Sequence, residues 1–64
     1  MNIKDRVKKV CPEANVYWDG GLMRITVIYQ NPPNISVDSI KSRICAELSQ
    51  VGLIRAVQEI RVVY

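Results

Sequence analysis

The sequence predicts an α+β fold in which two amphipathic helices and three short strands follow one another in the order α-β-β-α-β. Three observations carry this prediction. Residues Met23 to Gln30 alternate apolar and polar side chains and are rich in β-branched residues, as a half-buried central strand requires. Val37, Ile40, Ile44, Leu48 and Val51 recur at the spacing of one helical face. Between Val57 and Tyr64, Ile60 and Val62 alternate with Glu59, Arg61 and Val63, which describes a second strand with one covered side.

A chain of 64 residues is expected to form one domain, 1–64, with a thin margin of stability. At this size only about 60% of the surface of the unfolded chain is buried, so a partner subunit is a natural source of further stability. The apolar share of 48% and charged share of 23% separate the sequence from disordered chains. No stretch approaches the roughly 20 apolar residues of a membrane span, and the opening Met-Asn-Ile-Lys-Asp-Arg lacks the apolar segment of a secretion signal. A cytoplasmic location with no membrane association is therefore expected. Cys11 and Cys45 form no Cys-x-x-Cys pair and read as small buried hydrophobes, and there is no histidine to serve as metal ligand or neutral-pH base. No metal and no other cofactor is expected.

The first helix is predicted over residues 2–11. Asn2 can cap it, Ile3, Val7, Val10 and Cys11 fall on one face, and Pro12 ends it by forcing its predecessor out of the α region. Lys4 and Lys8 flank the apolar stripe on one side and Arg6 and Lys9 on the other, with Asp5 spaced to pair with Lys9. These four cations carry the whole excess charge of the chain. The other five (Arg24, Lys41, Arg43, Arg55, Arg61) are balanced by Glu13, Asp19, Asp38, Glu47 and Glu59.

Asn15 to Asp19 is expected to pair with the central strand through a two-residue turn at Gly20-Gly21, since glycine admits the positive φ of tight hairpins. That register sets Val16 opposite Ile25, Tyr17 opposite Arg24 and Trp18 opposite Met23. The prolines of Asn31-Pro32-Pro33-Asn34 lack ladder donors and end the strand. Ser36 is placed to cap the second helix, Asp38 lies in its first turn where the helix dipole favours an anion, and Gly52 fits the residue just beyond its end near Val51. Lys41 and Cys45 neighbour each other at the edge of the stripe, but no histidine or second thiol is near in sequence to make a catalytic pair. A strand-helix-strand crossover is right-handed, so the last strand should run parallel to the central one.

This order resembles a ferredoxin-like βαββαβ unit lacking its first strand, a likeness of architecture alone, and it implies a three-stranded sheet with both helices on one face. In the complete unit the missing strand separates the two parallel ones. Here the last strand either closes against the central one or leaves an edge for another chain. Pro12-Glu13-Ala14-Asn15-Val16, a Gly-Leu turn and a following helix are also similar to the DinI-like SOS-response proteins over about half the chain. That family begins with a strand and ends with an acidic helix, the reverse of the order here, so no function is taken from it.

The covered face should hold Val16, Trp18, Met23, Ile25, Val27, Tyr29, Ile60 and Val62, and the open face Tyr17, Arg24, Thr26, Ile28, Arg61 and Val63. Tyrosine and arginine are enriched at protein interfaces, so the six open-face residues are the candidate interaction surface of a non-catalytic module: a regulator, adaptor or inhibitor that binds a protein and self-associates, at least as a homodimer. The alternative is nucleic-acid binding by Lys4, Arg6, Lys8 and Lys9 with the open sheet, although the aromatic signature of RNA-binding sheets and a Gly-x-x-Gly loop are both missing. The six carboxylates are scattered, and so short a chain leaves little room for a cavity of roughly 300 Å³. No catalytic residue and no small-molecule substrate is therefore expected.

Overall fold

A computed structural model describes Asn2 to Tyr64 and has two α-helices and a three-stranded mixed sheet, an α+β arrangement. Helix α1 spans Ile3–Val10, strand β1 Asn15–Asp19, β2 Arg24–Ile28, helix α2 Val37–Gln50 and β3 Glu59–Val63. A short 3₁₀ turn, Ile54–Ala56, which the apolar pattern did not signal, joins α2 to β3.

Each helix end has a chemical cause. The Asn2 side chain accepts from the Asp5 amide at 2.8 Å and Ser36 Oγ from the Ser39 amide at 3.1 Å, satisfying amides that have no partner within the first turn. At the end of α2, Gly52 adopts φ +74°, which lets its amide reach Ser49 O at 3.2 Å while the Leu53 amide reaches Leu48 O at 2.8 Å. This pair of bonds is the Schellman closure.

Strand β2 lies between the other two, antiparallel to β1 and parallel to β3, so the last strand closes directly against the central one. The expected hairpin register is corrected by two residues. Val16 faces Val27, Tyr17 faces Thr26 and Trp18 faces Ile25, and the turn holds four residues rather than two. The cause is Asp19, whose Oδ1 accepts from the amides of Gly21 at 3.0 Å and Leu22 at 3.1 Å and so organises a wider turn. Met23 leaves the strand with φ 52°, and its carbonyl receives the amides of Gln58 and Glu59 where β3 begins. A slip of two keeps every strand side chain on its expected face, because the side-chain period is also two.

The core is one cluster: Ile3, Val7 and Cys11 with Ala14, then Val16, Ile25, Val27 and Tyr29 from the sheet region, then Ile40, Ile44 and Leu48. Val10, Trp18, Ile60 and Val62 pack against it while partly exposed. Each fully buried aliphatic contributes about 1.5–3 kcal/mol, so alternate strand residues and one stripe of each helix hold the chain together. Tyr64 closes the far end: its hydroxyl donates to the Ile35 carbonyl and its ring meets Tyr29 edge-on, with centroids 6.0 Å apart. Among the described residues no helix is long and apolar enough to cross a membrane.

Candidate interaction surface

The strand pairing sets three rows across the sheet: Asp19, Arg24 and Glu59; Tyr17, Thr26 and Arg61; Asn15, Ile28 and Val63. The pairing thus gathers Tyr17, Arg24, Thr26, Ile28, Arg61 and Val63 in neighbouring positions, and none of them belongs to the core cluster. Tyr17 is 56% exposed and Val63 46%, while Arg24, Thr26 and Ile28 are half-buried.

Asn15, Asp19 and Glu59 complete these rows and were not among the residues the sequence singled out. Glu59 accepts from Arg24 Nε at 3.0 Å through one oxygen and from Arg61 Nε at 2.6 Å through the other. The hydrogen bond from Arg61, then that from Arg24, holds the Glu59 carboxyl below the usual carboxylate range. Glu59 lies two residues from Arg61 on the same face, a pairing the alternation allowed. Its contact with Arg24 spans β2 and β3 and needed the sheet register.

The four cations of α1 do not converge. Arg6 Nη1 turns toward α2 and meets Glu47 Oε2 at 3.4 Å. Lys8 Nζ donates to the Ala14 carbonyl just before β1. Lys4 and Lys9 are exposed, and the expected Asp5–Lys9 ion pair is not formed among the described residues.

Lys4, Asp5 and Lys8 of α1 and Asn15, Val16 and Tyr17 of β1 line an open groove of about 300 Å³, a size for which so short a chain was expected to leave little room. Its one carboxylate is Asp5, and no nucleophile-base pair lines it. A second hollow, of about 240 Å³, lies where Lys41 and Cys45 of α2 approach Ile54, Val57, Gln58 and Ile60. Cys11 and Cys45 are both free thiols, Cys11 buried and Cys45 half-buried. Burial, and next a hydrogen bond with Cys11, push the Tyr29 hydroxyl well above the ordinary phenol range. Among the described residues no group of three or more Cys, Asp or Glu side chains could hold a metal ion. No protein-family model matches this chain, and no curated protein or solved structure matches it.

Proposed function

We propose that the protein is a non-catalytic interaction module, a small regulator, adaptor or inhibitor that acts by occupying the surface of another protein, and that it self-associates. In this reading both helices cover one side of the sheet, as in a ferredoxin-like unit without its first strand, and the other side is the recognition face. The supporting observation is the exposure of Tyr17 and Val63 on that side, with Ile28 beside Val63 in the next strand. Apolar and aromatic side chains with paired charges at one end, here Arg24 and Arg61 on Glu59, are a composition found at interfaces. The setting is cytoplasmic, where Cys11 and Cys45 stay reduced.

Light scattering on a sizing column, run from micromolar to millimolar protein, tests the self-association. A dimer or larger species that Val63→Glu converts to monomer is the expected result. A wild-type monomer at every concentration removes that part of the reading.

Nucleic-acid binding through Lys4, Arg6, Lys8 and Lys9 with the sheet is the second reading, favoured by the exposure of Lys4 and Lys9. It ranks lower because Arg6, Lys8, Arg24 and Arg61 already hold protein partners. Binding of this kind should weaken steeply between about 50 and 200 mM salt.

A further inference from the structure

We infer that the groove between α1 and the outer edge of β1 takes an extended acidic peptide of a partner protein, laid down as a fourth strand. The inference rests on the interaction-module reading and names the chemistry of the partner.

The direction of the main chain is fixed by the ladder. Tyr29 N donates to Val63 O, and Met23 O accepts from Glu59 N, so the odd-numbered residues along β2 direct their peptide groups at β3. By alternation Arg24, Thr26 and Ile28 address β1, where Asp19, Tyr17 and Asn15 answer them. Val16 and Trp18 therefore turn their N–H and C=O groups to the outer edge. Val16 as a whole residue, main chain included, is only 5% exposed, and it lines the groove between Asn15 and Tyr17.

Two ammonium groups flank that rung. Lys4 and Lys8 are one helical turn apart on the groove wall, and the contact of Lys8 Nζ with the Ala14 carbonyl brings its charge to the strand edge. Asn15 and Tyr17 form the opposite wall. An added strand presents alternate side chains to the two walls, so the matching peptide carries acids at every second position and apolar or aromatic residues between.

Asp5, in the same groove, leaves a net charge of one cation, which suits spaced carboxylates better than a phosphate on every unit of a polynucleotide. A polynucleotide backbone also has no amide ladder to complete. The outer edge of β3 turns Ile60 and Val62 outward by the same alternation. The hollow beside it has the single cation Lys41, and nothing there selects an occupant.

The test is titration of ¹⁵N-labelled protein with the peptide acetyl-Thr-Glu-Val-Glu-Val-Glu-Tyr-Thr-amide, its Glu-to-Lys counterpart, and an oligothymidine. The expected result is that the acidic peptide alone shifts the Val16 and Trp18 amides and protects them from hydrogen exchange. Lys4→Glu, at an exposed site with no ion pair among the described residues, should weaken binding about tenfold. Unmoved Val16 and Trp18 amides, equal binding of the lysine peptide, an indifferent Lys4→Glu, or preference for the oligothymidine each overturns the inference. Val63→Glu separates it from the underlying reading, because it alters the sheet face and leaves the groove untouched. Peptide binding that fails while Val63→Glu still dissociates an oligomer sinks only the groove, and a wild-type monomer that binds the peptide sinks only self-association.

Discussion

Arg24 and Glu59 face each other across β2 and β3, 3.0 Å apart, and the same carboxylate also holds Arg61. Two guanidiniums that look free in the sequence thus share one counter-charge. The sheet surface that carries them is less cationic than its arginines suggest.

This relationship predicts a pH dependence. The Glu59 carboxyl titrates below its ordinary value in the fold, so its contribution to stability is present above about pH 4 and is lost as the pH falls through the depressed folded value. Urea midpoints of wild type and Glu59→Gln should differ at pH 7 and converge in acid. A constant difference at every pH would show that the carboxylate plays no such part.

The same variant frees both arginines, raising the local charge from one net cation to two. Retention on a heparin column should increase for Glu59→Gln relative to wild type. Unchanged retention would mean that this face does not meet polyanions.

Tyr29 predicts behaviour at the other end of the scale. Its hydroxyl has a folded value raised above that of the unfolded phenol, near 10, so its contribution is whole below that pH and is lost as the pH rises through the folded value. Tyr29→Phe should remove part of the alkaline destabilisation seen in urea midpoints between about pH 9 and 12. Superimposable profiles for the two proteins would contradict the buried hydroxyl.

Ile44 is fully buried in the cluster that joins both helices to the sheet. Ile44→Ala should cost about 2–5 kcal/mol, a large part of the total for so small a domain, and calorimetry should show a weakened or absent transition. Leu22→Ser, at a site 53% exposed, should stay within about 0.5 kcal/mol.

Gly52 has φ +74° and, among the described residues, no neighbour within 4 Å of where a Cβ would stand. Gly52→Ala should therefore lose about 1 kcal/mol from backbone conformation alone, and Gly52→Asn less. Denaturant midpoints check both.

What the sequence determined by itself was local. Asn2 and Ser36 as caps, Gly52 as the stop, the helical stripe from Ile40 to Leu48 and the two faces of the strands follow from steric preference, capping chemistry and period. Each of these acts within a few residues. What the tertiary structure decided depends on which distant groups meet. Asp19 widened the turn and moved the register by two, because a side-chain oxygen competed for amides that a tighter turn would have used otherwise. Pairing β3 directly with β2 brought Glu59 to Arg24, and docking α1 against α2 brought Arg6 to Glu47. A charge in a sequence carries no direction, and only packing assigns it a neighbour.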